Sequence, residues 1–169
     1  MTPALTDLMT QCAPLISPVT MTAIIRQESG GNPYAINDNT VRLPVAPKTK
    51  EEAVVIATQR INAGHSVDMG LTQINSKNLK KLGLTVEQIF EPCTNLKASQ
   101  SILLDAWEGS KGSLIGTLSA YNTGKTSSVA GLKYAQQVIQ RAGGQFHATK
   151  TSTTPMASPM NSSLKPKGF

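Results

Sequence analysis

The chain has 169 residues, of which 39% are hydrophobic and 4% aromatic, and 16 Lys and Arg against 10 Asp and Glu give a formal charge of +6. That length suits one domain with a tail and a mostly aliphatic core, and it holds no run of the roughly 20 apolar residues a membrane span needs. Two cysteines are too few for a disulfide-scaffolded mini-protein, no Cys/His spacing suggests zinc, and the charge favours a polyanionic partner without saying which.

Residues 3–12 read as a short helix with Thr2 as cap, Pro3 in its first position and a stripe of Leu5, Leu8, Met9 and Cys12. A second helix starts at Ser17-Pro18, carries Met21, Ile24 and Ile25 inward, and stops at Gly30-Gly31. Residues 32–48 read as loop and short strand. Thr49 to Glu52 forms a capping box before a helix that Gly64 ends. Val67, Met69 and Leu71 alternate with Asp68, Gly70 and Thr72, the period of a short strand. Thr85 to Gln88 is a second capping box, before a brief helix ended by Pro92.

Further helices are predicted over 95–108, with Leu96, Ile102, Leu103, Ala106 and Trp107 inward, over 113–121, and over 128–141, with Leu132, Ala135, Val138 and Ile139 inward. After Gly143-Gly144 the composition turns to Ser, Thr, Pro and Lys, which reads as a disordered tail. The expected fold is therefore mainly α, of α+β character, with a small β element, in a domain over 1–142 followed by the tail 143–169. His65 and His147 are far apart and read as surface residues.

Glu28 carries the most chemical information. It lies at i+7 from Met21 and i+4 from Ile24, on the core stripe of the second helix, and in its last turn. Desolvation and the helix dipole both raise the pKa of a carboxyl so placed, which suits a general acid. The periodicity alone is equally consistent with an exposed glutamate that ends the helix.

Three blocks follow one another along the chain: Glu28-Ser29, then Gly70-Leu71-Thr72-Gln73, then Ala120-Tyr121-Asn122-Thr123-Gly124. In this order they resemble the ES…GLxQ…AYNxG pattern of lytic transglycosylases with a lysozyme-like fold. The segments QCAP at Gln11 to Pro14, NPYAI at Asn32 to Ile36 and PCTNL at Pro92 to Leu96 are similar to the specialised transglycosylases of type IV secretion systems. The likeness covers roughly residues 3–140.

The resemblance implies a lysozyme-like helical domain that cleaves peptidoglycan glycan strands in the periplasm or cell envelope, without metal or organic cofactor. Glu28 matches the catalytic acid/base. Gly70, Leu71, Gln73 and Asn75 match the stretch lining the substrate groove. Tyr121 and Asn122 match the block that orients the glutamate and contacts sugar, with Ser29 at the helix end and Tyr34 as a sugar platform. Cys12 and Cys93 match cysteines that pair in the family, so a disulfide between them is implied. Other secretion components are implied as partners.

Some alternatives stay open. Gly70 as a tight-turn residue, Asn75 as a helix cap and Tyr121 as plain core are the structural readings. The stretch DMGLTQINS at Asp68 to Ser76 also resembles animal lysozyme, whose second carboxylate stands at the place of Asp68. A muramidase using Glu28 and Asp68 would need them about 5 Å apart, whereas alternation puts Asp68 on the strand face opposite Val67 and Met69. A non-catalytic wall-binding assembly module is the reading from another class. Nucleic acid binding has only the charge behind it, with no basic helix stripe or interleaved aromatics. No leader for export is evident at Met1.

Overall fold

The computed structural model describes residues 3–144. The Thr2 cap, His147 and the tail from residue 145 lie outside the described residues. The described chain is mainly α with one small antiparallel sheet, and it divides into two compact units, residues 3–27 with 100–144, and residues 28–99.

The first unit holds α1 (Pro3–Cys12), most of α2 (Pro18–Glu28), the larger part of α6 (Pro92–Gly109), α7 (Leu114–Thr123) and α8 (Val129–Arg141). Met21, Ile24 and Ile25 of α2 are buried, as the stripe predicts, along with Leu103, Leu118, Ala135, Val138 and Ile139. Ser113 and Ser128 cap α7 and α8, each accepting from the backbone N–H three residues on. The two helices pack closely at Gly131, where an added Cβ would stand 2.1 Å from Ser119 Oγ. Two long-range bonds fasten other parts of this unit. Leu15 N–H donates to Gln100 Oε1 at 2.8 Å, and Arg141 Nε donates to Gln27 Oε1 at 2.7 Å.

The second unit holds β1 (Ile36–Asp38), β2 (Leu43–Val45), α3 (Lys50–Asn62), β3 (Val67–Met69), β4 (Ile74–Asn75), a 3₁₀ turn at Ser76–Asn78, α4 (Leu79–Leu82) and α5 (Val86–Ile89), with the first turns of α6. The strand order is β2-β1-β3-β4, all antiparallel. Its register puts Ile36, Met69 and Ile74 in one cross-strand row, all buried, and Asn37, Asp68 and Asn75 in the next, partly exposed. That is the period-2 alternation expected of a sheet with one buried face.

Several boundaries differ from the sequence-based expectation. The strand ends at Met69, and Leu71, though buried, belongs to a turn. Helix α6 begins at Pro92 rather than 95, because a proline that stops one helix also suits the first position of the next, where no N–H is needed. Leu132 is exposed and Tyr134 takes the inward position on α8, while Trp107 is half-buried against Gly112. The box at Thr85 closes in both directions. At Thr49 only the hydroxyl half forms, since the Glu52 carboxylate accepts from Lys48 N–H instead.

Candidate functional site

Glu28 is the last residue of α2 and is half-buried, where the sequence placed it with the core stripe. The stripe runs out at the helix end, so its final member keeps a share of solvent. Ser29 leaves the helix at once. Its Oγ accepts from Gly31 N–H at 3.1 Å and donates to the carbonyl of Leu71 at 2.7 Å. A single hydroxyl thus joins the end of α2 to the turn Gly70–Gln73, 42 residues away in sequence.

That turn is held from several sides. Gly70 N–H donates to Ala35 O at 2.9 Å. Gln73, with φ of 51°, sends its Nε2 to Ala35 O at 3.0 Å and to Gly70 O at 2.9 Å. The amide nitrogen of Gln73 is therefore engaged in closing the turn. Gly70 has φ of 79°, and an added Cβ would stand 2.3 Å from Asn95 Nδ2. Both the backbone and the space require glycine there.

Asn95 lies within the PCTNL stretch, but no local pattern gives it a role in the site. It is 1% exposed, and its side chain makes four hydrogen bonds. Its Nδ2 donates to Met69 O and Ile89 O, both at 3.0 Å, and its Oδ1 accepts from Thr72 N–H at 2.9 Å and Thr72 Oγ1 at 2.7 Å. Besides that motif, its signal in the sequence is a polar residue at the start of a helix, next to the inward-facing Leu96.

The exposed row of the sheet forms a polar ladder. Asp68 accepts from Asn39 Nδ2 at 2.7 Å on one oxygen and from Asn75 Nδ2 at 2.6 Å on the other. Asn75 also caps the 3₁₀ turn, its Oδ1 accepting from Lys77 N–H. Tyr34 is half-buried in the same unit, with its backbone N–H on Asn32 Oδ1. Tyr121 and Asn122 belong to the first unit. The Tyr121 ring is half-buried and stacks on Tyr134 with centroids 6.5 Å apart, while Asn122 is exposed.

His65 is not the plain surface residue the sequence suggested. Its Nδ1 lies 2.7 Å from Asp38, which alternation turns to the buried face of β1. Asp38 also accepts from Thr40 and Val41 N–H, with Arg60 Nε at 3.6 Å. Burial pushes this carboxyl up, but the bonds from His65, Val41 and Thr40 and the charge on His65 prevail and hold it below its ordinary value. Cys12 and Cys93 are both disulfide-bonded, leaving no free thiol. Among the described residues no group of three or more His, Cys, Asp or Glu could hold a metal, and no helix is long and apolar enough to cross a membrane.

The profile of the Transglycosylase SLT domain matches residues 8–144. The chain belongs to this family. It is 38% identical over 120 residues to Protein virB1 of Agrobacterium fabrum (strain C58 / ATCC 33970), a stretch covering 68% of this chain and 49% of the relative. It is 43% identical over 97 residues to the type IV secretion system protein virB1 of Brucella abortus biovar 1 (strain 9-941), covering 57% and 41%. With Protein virB1 of Rhizobium radiobacter it shares 36% identity over 120 residues, covering 68% and 50%. The chain thus spans about half the length of these relatives or less. No solved structure matches it.

Proposed function

We propose that the protein is a peptidoglycan lytic transglycosylase that opens the cell wall locally for a type IV secretion or conjugation machine, working in the periplasm. The observation that carries the reading is the 2.7 Å bond from Ser29 Oγ to Leu71 O, which ties the Glu28-Ser29 block to the Gly70–Gln73 block. A carboxyl at a helix end, half in solvent and braced by its neighbour, can meet a substrate and keep its orientation. Membership of the SLT domain family and the names of the virB1 relatives support the activity and its setting. The +6 charge suits a polymer whose peptide stems carry carboxylates.

In this reading the protonated Glu28 gives its proton to the glycosidic oxygen between N-acetylmuramic acid and N-acetylglucosamine as the C1–O bond breaks. The carboxylate then takes the proton from the muramoyl 6-hydroxyl as that oxygen bonds to C1. The glutamic acid is regenerated, no water is consumed, and a 1,6-anhydromuramoyl end remains. No metal or organic cofactor takes part. Gly70 and Leu71, both buried, keep the shape of the turn that Gln73 closes, and Tyr34, Asn75, Tyr121 and Asn122 serve as sugar contacts. Asp68, with both oxygens held by asparagine amides, serves the sheet.

Mass spectrometry of fragments released from purified peptidoglycan tests this. Anhydro ends, one water lighter than hydrolytic products, are expected, and Glu28→Gln should release none while melting like the wild type. Ordinary reducing ends would instead make the protein a muramidase and return Asp68 as second carboxylate. Binding to the wall without release would make it an assembly module.

A further inference from the structure

We propose that Asn95 is a positioning residue for Glu28, acting through the turn Gly70–Gln73; this rests on the acid/base assignment of Glu28. Asn95 reaches from the first turns of α6 to three separate stretches: the carbonyl at the end of β3, the carbonyl at the end of α5, and both polar groups of Thr72. Its neighbours exclude water, with Thr72 at 0% and Leu71 at 3% exposure. A lost partner here is therefore not replaced by solvent, and the turn has to move to satisfy the orphaned group.

The relay to the carboxyl is short. Asn95 holds Thr72; the adjacent Leu71 carbonyl accepts from Ser29; Ser29 directly follows Glu28. A displaced turn thus displaces the end of α2. The residue types fit the task narrowly. Two carbonyls need two N–H donors, which aspartate lacks, and the Thr72 groups need an acceptor, which leucine lacks. Gly70 leaves open the space that the Asn95 amide fills.

The test is steady-state release of anhydro-muropeptides from solubilised glycan strands, with thermal melting alongside. Thr72→Val removes one bond to Asn95 and keeps the shape; Thr72→Ser keeps the hydroxyl. We expect Thr72→Val to lower kcat about tenfold at unchanged KM, and Thr72→Ser to restore it to within about twofold, since angstrom-scale misplacement of reacting groups has effects of this order. Asn95→Asp, where it folds, should lower kcat further. A folded Thr72→Val with wild-type kcat, or one that only melts earlier, overturns the proposal. Glu28→Gln run beside them separates the two claims: if it is active, the acid/base assignment fails; if it is inactive while Thr72→Val is normal, positioning alone fails.

Discussion

Replacing Gly70 by alanine puts the packing of the turn to a direct test. The residue has φ of 79°, a region where a Cβ costs about 1–2 kcal/mol. The new methyl would also stand 2.3 Å from Asn95 Nδ2, 3.0 Å from Asn95 Cγ and 3.3 Å from Ile89 O. A flexible side-chain end would swing away from such a contact. Asn95 cannot do so without giving up buried hydrogen bonds, so overpacking adds about 1–3 kcal/mol. The sum is about 3 kcal/mol, or a fall of about 6–12 °C in melting temperature for a domain of this size. Differential scanning calorimetry or circular dichroism would read it. A Gly70→Ala protein melting within about 2 °C of wild type would refute the reasoning, because that shift corresponds to less than the backbone term alone.

Two further outcomes follow from the same geometry. Asp38 has its carboxyl held below its ordinary value of 3.8, so the stability it contributes is present above that pH and fades as pH falls through the lower folded-state value. Urea unfolding should therefore show a wild-type advantage over Asp38→Asn at about pH 6 that shrinks at about pH 3. An equal gap at both would show that His65 and the backbone donors do not set the carboxyl's protonation. Reducing the disulfide of Cys12 and Cys93 reopens a loop of about 80 residues, and should remove about 4 kcal/mol on the chain-entropy view. The guanidinium midpoint with and without reductant measures it, and coincident midpoints would contradict that entropic view.

The mainly α architecture, most helix positions, the Thr85 box and the Asn75 cap could be read in advance, because each depends on side chains within a few residues of one another. The three blocks around Glu28, Gly70 and Tyr121 pointed to the family for the same reason: each is a contiguous string. Periodicity starts the helix at 95 rather than at Pro92, because one proline both ends a helix and begins one, and local pattern does not separate the two roles.

Local pattern in the chain thus carries the mainly α class, the longer helices and the family whose profile spans residues 8–144, while the short elements from Ile74 to Leu82 leave no such pattern beyond the Asn75 cap. The tertiary structure decided the rest of the candidate site. Asn95 finds its partners 6, 23 and 26 positions away, and Ser29 finds Leu71 at 42. Asp38 meets His65 at a separation of 27. Helical periodicity and capping carry no information at such distances. A buried amide or carboxylate is satisfied only by whatever the folded chain brings beside it, so its role becomes visible once those neighbours are in place.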